Sequence, residues 1–385
     1  MSTTDDRTNA PIVLSSGFAA VEAFPNERLA DLAADILRND AATALQYSAR
    51  EGLWPLRERI AAWLRADGVD ADAREVIIIT GAKQNLDLTA RALCAPGDHV
   101  VCAEPSYMNG LSIFRRAGVE PVAVSCDDQG IDVAALAEAL ERSRSGAGPK
   151  IGLIYDIPDF HNPTGTVLAP DRRRELASLA ARFDVPVLED NPYRWLRYEG
   201  EDATPLKAFD EAGMVVSTGT FAKILGPGLR LGWVHAKRAY LDRIAPMKAD
   251  SGTSPFLQLL AAHFFDADDA LAAHRAHLRR VYQPRRNALL EALREHASDV
   301  ATWSEPQGGY YVWVRMREEV DLDALAPIVE AKGVKYYKGS VFFPTKPAPK
   351  HFMRLSFSYE SIERMQQAVR VIAETVREAL ANPQR

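Results

Sequence analysis

Through the middle of this chain, short apolar runs alternate with amphipathic segments, and this alternation constrains the fold most strongly. The run Glu75–Thr80 (EVIIIT) is predicted to be a buried strand, and Lys83–Leu93 the helix after it. A strand that is apolar along its whole length suits a sheet covered on both faces. The repeat predicts a largely parallel α/β sheet. Further strands are predicted at His99–Ala103, Pro121–Val124, Lys150–Tyr155, Val185–Leu188, Met214–Ser217 and Leu231–Val234, with helices at Asn109–Ala117 and Asp171–Phe183.

The last quarter of the chain has a different order of elements. It is predicted to contain the strand Tyr310–Val314, the helix Leu322–Ala331, the strand Phe352–Ser356 and the helix Ile362–Leu380. We expect a smaller α+β unit there, because 385 residues exceed what one core usually serves. A connecting helix is expected to begin near 250–255 or 263–269. The polar residues Met1–Pro11 are expected to form a short disordered start.

Charge and cysteine content exclude several classes of function. With 46 Lys and Arg against 52 Asp and Glu, the net charge is −6, which argues against a nucleic-acid surface. The basic clusters at 172–174, 279–280 and 285–286 are interpreted as solvated helix faces. No apolar run reaches the roughly 20 residues of a membrane span. Three scattered cysteines and the His274, His277 pair indicate no metal site, and the sparse cysteines fit a reducing cytoplasm.

The segment Gly219–Trp233 (GTFAKILGPGLRLGW) carries the strongest chemical signal. Lys223 stands after a predicted strand, beside Ala222 and before a Gly/Pro-rich turn, so its neighbours leave it accessible. Desolvation lowers the pKa of a lysine and frees a nucleophilic amine for imine formation. Thr220 and Arg230 could hold a phosphate. A lysine between small residues is, however, more often simply exposed.

Other motifs occur in a fixed order around this segment: Gln46-Tyr47 to Leu56-Arg57, Glu104-Pro105-Ser106-Tyr107, Asp156–Gly165 (DIPDFHNPTG), Glu189–Tyr193 (EDNPY) and Met353–Phe357 (MRLSF). Together they resemble the class I/II aminotransferases of fold type I, in the aminoadipate-aminotransferase and MocR-like branch. These enzymes depend on pyridoxal 5′-phosphate (PLP). The resemblance extends across nearly the whole chain.

The resemblance implies a role for each matched residue. Lys223 would carry PLP as a Schiff base and move the proton between the substrate Cα and the cofactor. Asp190 would pair with the pyridinium nitrogen, while Asn162 and Tyr193 would bond the phenolic oxygen. Tyr107 would stack on the ring, and Arg354 would grip the substrate carboxylate. The phosphate would be held by Thr220, Arg230, the 82–84 helix start (Ala82, Lys83, Gln84) and Tyr47 of a neighbouring subunit; Gly17 and Asn162 would line the substrate side.

The resemblance also implies the architecture. We expect a mostly parallel seven-stranded sheet flanked by helices, plus a smaller α+β domain. The expected boundaries are 1–44 for an N-terminal arm and part of the small domain, 45–275 for the PLP-binding domain, and 276–385 for the C-terminal small domain. Tyr47 would make the protein a homodimer with shared sites.

The chain departs from the family pattern at several positions. Ala82-Lys83 stands where relatives carry Ser-Gln after the first strand, and Ala222 replaces a serine before the Schiff-base lysine. Lys338 replaces a proline and would either face an acidic substrate group or be solvated. Ser16 replaces a glycine in the arm that lines the substrate pocket, so the substrate is left open.

Three functions remain in competition. The leading one is amino transfer between an L-amino acid and a 2-oxo acid. The second is another PLP reaction on an amino acid, such as decarboxylation, elimination, oxidation or carbon–carbon bond formation, because the cofactor residues would be the same. The third is a ligand-sensing regulator, which is disfavoured because the family pattern begins near Ile12 and leaves no room for a DNA-binding domain.

Overall fold

The computed structural model describes residues 10–250 and 252–381, so residues 1–9 of the expected disordered start, Met1–Pro11, lie outside the described residues. The strands are β1 (Ile12–Val13), β2 (Val76–Ile79), β3 (His99–Glu104), β4 (Glu120–Asp127), β5 (Gly130–Ile131), β6 (Ile151–Asp156), β7 (Val187–Asn191), β8 (Val215–Thr220), β9 (Gly232–His235), β10 (Ala301–Trp303), β11 (Tyr311–Met316), β12 (Val334–Lys335), β13 (Tyr337–Lys338) and β14 (Phe352–Ser356). The α-helices are α1 (Asn26–Asn39), α2 (Ala41–Ala44), α3 (Trp54–Ala66), α4 (Ala82–Leu93), α5 (Met108–Arg116), α6 (Val133–Arg144), α7 (Pro170–Phe183), α8 (Arg238–Ile244), α9 (Pro255–Phe264), α10 (Ala270–Ala297), α11 (Leu322–Ala331) and α12 (Ile362–Ala381).

The large sheet has the strand order β2-β9-β8-β7-β6-β3-β4-β5. Its central strands β8, β7, β6, β3 and β4 are parallel, whereas β9 runs antiparallel between β2 and β8. The seven expected strands are all present, and the two-residue β5 adds an eighth by antiparallel pairing with β4. The predicted α/β class with a mostly parallel sheet is confirmed.

The order of the strands reverses between β3 and β6. From β3 the chain passes outward to β4, then returns to β6 on the other side and continues to β7 and β8. Ligands of open α/β sheets bind at such a switch point, beyond the carboxyl ends of the strands. The loops that follow β3, β6, β7 and β8 therefore define where a site should lie.

A second, antiparallel sheet has the order β10-β11-β14-β13, and α12 packs against α10 beside it. The strand β1 pairs in parallel with β12, with Ile12 opposite Val334. This pairing brings the start of the described chain beside its C-terminal part. The predicted smaller α+β unit is present as this antiparallel sheet with its helices. The domain boundaries at 44/45 and 275/276 stay predictions.

Helices account for most of what the sequence interpretation left unassigned, including α1, α3 and α6. One connecting helix was expected at either of two places, and a helix begins at or next to each: α9 at Pro255 and α10 at Ala270, directly after 263–269. The start of α6 could be predicted from the sequence, because Asp132 is an N-cap residue. Its carboxylate accepts hydrogen bonds from the amides of Ala134 and Ala135.

The interpretation of the basic clusters as solvated faces is wrong at two arginines. Arg173 is fully buried and pairs with Asp159 at 2.8 Å, and the buried Arg286 pairs with Glu199. The partners lie 14 and 87 residues away along the chain. His274 is also buried, and its ring nitrogen bonds the Ile224 carbonyl.

Three absences can be stated for residues 10–250 and 252–381. No group of three or more His, Cys, Asp or Glu side chains could hold a metal ion. The cysteines Cys94, Cys102 and Cys126 are free thiols. No helix of this part of the chain combines the length and apolarity that a bilayer crossing requires.

Candidate active site

A cavity of about 420 Å³ lies at the carboxyl ends of the parallel strands, between the large and the small sheet. It brings together most of the residues predicted from the sequence. They are Gly17, Ala82, Lys83, Tyr107, Asn162, Asp190, Tyr193, Thr220, Lys223, Arg230 and Arg354.

Lys223 is positioned by the end of β8. Thr220 closes the strand, and its hydroxyl accepts a hydrogen bond from the Ala222 amide at 3.1 Å, which starts a single 3₁₀ turn at Phe221–Lys223. The Lys223 ammonium donates to the Gly17 carbonyl at 3.0 Å. Burial lowers the pKa of Lys223, and the neighbouring cations, Arg354 foremost, act in the same direction against the opposing effect of Tyr311. The amine is thereby favoured as a nucleophile.

Asp190 lies near the end of β7 and is 3% exposed. Its Oδ2 accepts a hydrogen bond from the Tyr155 hydroxyl at 3.0 Å, whereas its Oδ1 has no partner. Burial raises the pKa of Asp190 to about 7, although the bond from Tyr155 acts in the opposite direction. A buried carboxylate oxygen without a partner is costly unless a ligand satisfies it.

One end of the cavity is built to receive an anion. Gly81 precedes the first residue of α4 with φ +84°, and a Cβ there would lie 3.0 Å from Arg230 Nη2. Because no side chain intervenes at Gly81, the Arg230 guanidinium lies at the start of α4, beside Lys83. Its Nη2 donates to the Thr80 carbonyl at 3.2 Å. Helix N-termini attract anions through free amides and the helix dipole.

The opposite end of the cavity carries Arg354, which is 3% exposed. Its Nη1 donates to Asn162 Oδ1 at 2.9 Å and its Nη2 to the Ser15 carbonyl at 2.8 Å, while its Nε has no partner. The guanidinium lies 3.8 Å from the ring centroid of Tyr311. Within the described residues, Lys83, Lys223, Arg230 and Arg354 form no ion pair, so four basic side chains face one cavity without a carboxylate partner.

The loop that carries Asn162 is fixed from behind by Arg173. The Arg173 guanidinium donates to the Pro158 carbonyl at 3.0 Å, to the Leu168 carbonyl at 2.9 Å and to the Asp159 carboxylate at 2.8 Å. A fully satisfied buried arginine of this kind holds both ends of the loop in one geometry. This explains why the sequence retains a charge in the interior of α7.

The two predicted aromatic residues face the cavity from different strands. Tyr107 follows β3, and its hydroxyl accepts a hydrogen bond from the Asn109 amide at 3.2 Å. Tyr193 follows β7, is 4% exposed and hydrogen-bonds Tyr311. Burial raises the pKa values of both phenols, so both stay neutral donors.

Two tyrosines of the small sheet were missed by the sequence interpretation. Tyr311 on β11 and Tyr337 on β13 line the cavity, and Tyr337 lies directly opposite Arg354 in the β13–β14 register. The sequence did show tyrosines on the two segments that form β11 and β13, the strands that pair with the Arg354 strand β14. Strand alternation alone could not show which of Tyr310 and Tyr311 faces the cavity.

Three residues singled out from the sequence do not face this cavity. Tyr47 is 81% exposed on the surface. The Gln84 side chain accepts from the Thr80 amide at 2.8 Å and donates to Asp250 at 3.0 Å, so it is committed elsewhere. Lys338 is exposed on β13, which favours the interpretation of it as a solvated lysine.

A larger surface groove of about 640 Å³ runs between α1, α3 and α9, where Arg59 pairs with Asp266. It contains none of the residues that the sequence analysis predicted. None of the described residues that line it is a lysine, so it offers no amine for imine formation. The lining residues therefore favour the smaller cavity as the active site.

The residues around the smaller cavity fit PLP. The unpaired Oδ1 of Asp190 suits a protonated ring nitrogen, and the start of α4 with Arg230 suits a phosphate. Lys223 lies between them with a depressed pKa. Fold and site together define a fold-type I, PLP-type transferase with a second anion site at Arg354.

Comparison with known proteins assigns the family. Residues 11–372 match the family "Aminotransferase class I and II". An aromatic-amino-acid aminotransferase of Thermococcus litoralis is 37% identical over 97% of this chain and 89% of its own length. A 2-aminoadipate transaminase of Thermus thermophilus is 32% identical over 97% of this chain and 92% of its own. This chain belongs to the class I and II aminotransferases, which are PLP-dependent transferases.

A solved structure and a further relative complete the comparison. Kynurenine aminotransferase of Pyrococcus horikoshii, solved with PMP, KYN and KYA, has a TM-score of 0.92 and 33% identity, covering 99% of this chain and 96% of its own. An uncharacterised HTH-type transcriptional regulator of Bacillus subtilis is 30% identical over 93% of this chain and 72% of its own length. Both branches named by the sequence resemblance are therefore represented.

Proposed function

We propose that this protein holds PLP as a Schiff base on Lys223 and moves an amino group between an L-amino acid and a 2-oxo acid. The observation that carries the proposal is the composition of one cavity. It combines an amine of lowered pKa with an unpaired, buried carboxylate oxygen of Asp190. Arg230 and Arg354, neither with an acidic partner among the described residues, flank these two groups.

Each residue has a task that follows from its contacts. Asp190 Oδ1 would hold a proton on the ring nitrogen, which gives the buried carboxylate its missing partner. Arg230, Lys83, Thr220 and the start of α4 would bind the phosphate. Tyr193 and Asn162 would donate to the phenolic oxygen, and Tyr107 would cover one face of the ring.

Arg354 would bind the α-carboxylate of the amino acid. Its Nε is free, and its two other nitrogens are held by Asn162 and Ser15, so the guanidinium is oriented before substrate arrives. Orienting the substrate so that the bond to be broken stands upright on the ring can contribute about 7–11 kcal/mol. The Lys223 amine would then move the proton at Cα. PLP, when bound, supplies the electron sink for this chemistry.

The test is a pair of half-reactions followed by visible absorbance. PLP-loaded protein is mixed with single amino acids from a panel, with no acceptor present. We expect at least one amino acid to convert the cofactor to its pyridoxamine form, and a 2-oxo acid to restore the original spectrum. Release of carbon dioxide or ammonia without conversion of the cofactor would contradict amino transfer and favour another PLP reaction.

We further propose a homodimer whose sites are shared. Leu45, Tyr47 and Trp54 are large side chains with exposures of 72%, 81% and 52%, and they follow one another along the chain. A second copy would cover them, and Tyr47 would reach the phosphate of the other subunit.

Mixing Lys223→Ala protein with Tyr47→Ala protein tests this, because a mixed dimer would contain one intact site. Activity should rise above that of either variant alone; no gain on mixing would contradict sharing.

A further inference from the structure

Tyr311 lies between the two groups that the proposed function assigns to the reacting end of the substrate. It is 5% exposed, on the face of β11 that looks into the cavity. Its ring supports the Arg354 guanidinium at 3.8 Å. An ideal Cβ built on Gly17 would lie 2.2 Å from the Tyr311 hydroxyl oxygen and 3.6 Å from Lys223 Nζ. The hydroxyl and the amine therefore border the same small space.

The charges around Tyr311 favour its anion. Arg354 faces it from β14, Lys223 from the turn after β8, and Lys83 from the start of α4. Tyr193, from the loop after β7, hydrogen-bonds it, and the neutral phenol of Tyr107 also lies near. Burial alone would raise the pKa of Tyr311, but the cations, Arg354 foremost, and the bond from Tyr193 outweigh burial and lower it. When Tyr193 donates to the cofactor's phenolic oxygen instead, the cations are what continue to favour the phenolate.

We propose that Tyr311 is a second proton-transfer group of this site, which as a phenolate takes a proton from the ammonium of the incoming amino acid. This inference rests on the proposed function. An amino acid enters as an ammonium and must lose one proton before its nitrogen can attack. In this step an N–H bond of the substrate breaks, its electron pair stays on nitrogen, and an O–H bond forms on Tyr311.

The proton has a destination. Lys223 is released as a neutral amine and stays neutral while it moves the proton at Cα, so Tyr311 keeps the substrate's proton during that step. After the amino group has been transferred, the phenol gives this proton to the Lys223 amine, which becomes an ammonium, and Tyr311 is a phenolate again. The exchange consumes no oxidant, reductant or further reactant. Tyr311 thereby leaves Lys223 free to act as the base at Cα.

The variant Tyr311→Phe keeps the ring beneath Arg354 and removes only the hydroxyl. The measurement is the rate of the first half-reaction against pH, with PLP-loaded protein and an amino acid that converts the cofactor. We expect a loss of about tenfold or more at neutral pH. The loss should shrink at a pH above the pKa of the substrate ammonium, because free amine is then present in solution. Tyr198→Phe, which removes a buried hydroxyl that donates to the Gly309 carbonyl at 2.6 Å, should match the wild type at every pH.

A second readout separates proton transfer from support of Arg354. With PLP bound, a phenolate at Tyr311 would stabilise positive charge on the Lys223 nitrogen, so the pH midpoint of the visible absorbance should be lower in Tyr311→Phe. A fluorinated tyrosine at position 311 has a more acidic phenol and should move the acid limb of the rate profile to lower pH. This substitution also covers the case in which Tyr311→Phe fails to fold.

The failures of the two proposals are distinguishable. If no variant, nor the wild type, acquires a PLP absorbance at Lys223, the proposed function has failed. If PLP loads and the cofactor is converted, but Tyr311→Phe shows no deficit or an equal deficit at every pH, the role of Tyr311 is overturned. An acid limb that the fluorinated tyrosine leaves in place overturns it equally.

Discussion

The two halves of the cavity are built in different ways. The half that we propose for the cofactor, the cofactor half, is made from strand ends and turns of the large sheet between residues 81 and 230. The half that we propose for the substrate, the substrate half, joins the 15–18 arm to β11, β13 and β14, which lie about 300 residues further along the chain. The cofactor half holds cations around one unpaired carboxylate, whereas the substrate half holds a guanidinium on aromatic rings. Cofactor retention and substrate choice should therefore respond to separate substitutions.

The largest effect is expected for Asp190→Asn in the cofactor half. An amide cannot hold a proton on the ring nitrogen, so kcat should fall by about 100-fold or more. Tyr155 keeps an acceptor, so the fold is retained. Measuring kcat together with PLP content checks this; a variant with wild-type kcat would remove Asp190 from the mechanism.

The same substitution should stabilise the cofactor-free protein. Folding raises the pKa of Asp190 from 3.8 to about 7, so between these pH values the folded state binds more protons than the unfolded state. Stability is therefore lost as the pH rises through this window. Above pH 7, Asp190→Asn should be more stable by about 1–4 kcal/mol, and below pH 4 it should gain nothing. Denaturant unfolding of both proteins at both pH values checks this. Burial also raises the pKa of Asp156 to about 7, but Asp156 is present in both proteins and its effect cancels in the comparison.

Arg354→Lys tests the substrate half alone. Lysine keeps the charge but cannot bond a carboxylate with two parallel N–H groups or stack on Tyr311. KM for the amino acid should rise about 10- to 100-fold, while the visible spectrum of bound PLP stays that of the wild type. A loss of PLP with no change of KM would show that the two halves are not separate.

Gly17→Ala tests the contact between the arm and the small sheet. The new methyl group would meet the Tyr311 hydroxyl at 2.2 Å, so the arm or the tyrosine must move. We expect a loss of about 1–3 kcal/mol in stability, with a several-fold fall in kcat/KM. Gly228→Ala is the matched control, because a Cβ there meets nothing within 4 Å. Equal stability of the two variants would argue against the packing described.

The smallest effect is expected for Lys83→Gln. One cation is lost from an anion site that keeps Arg230 and the start of α4, so the affinity for PLP should fall about 3- to 10-fold. The dependence of that affinity on salt should weaken. Lys338→Gln, at an exposed lysine, should change neither property. If Lys338→Gln altered substrate affinity instead, the interpretation of Lys338 as a solvated residue would be wrong.

The sequence predicts the cofactor half better than the substrate half, for a physical reason. The family resemblance picks out Lys223, Asp190 and Asn162, and each of them ends a strand or follows one, so the predicted strands also bring them to one edge of the sheet. Tyr311 and Gly17 meet only because β1 pairs with β12 and β11 pairs with β14. Contacts between such distant segments leave no local signal.

Buried charges were the other gap. Arg173 stands in a run of three arginines that is typical of a solvated face, and only the fold shows its carboxylate partner, Asp159. Gln84 shows the converse, because it stands in the expected phosphate segment yet turns its side chain to Thr80 and Asp250. The sequence could predict the segment but could not orient the side chain.

The most direct test of the account is to reduce PLP-loaded protein with borohydride and locate the modified residue by peptide mass spectrometry. We expect one phosphopyridoxyl group per chain on Lys223, and none in Lys223→Ala. Lys83 lines the same cavity and is the natural competitor. Modification of Lys83 or another lysine in the wild type, or no modification at all, would contradict the assignment.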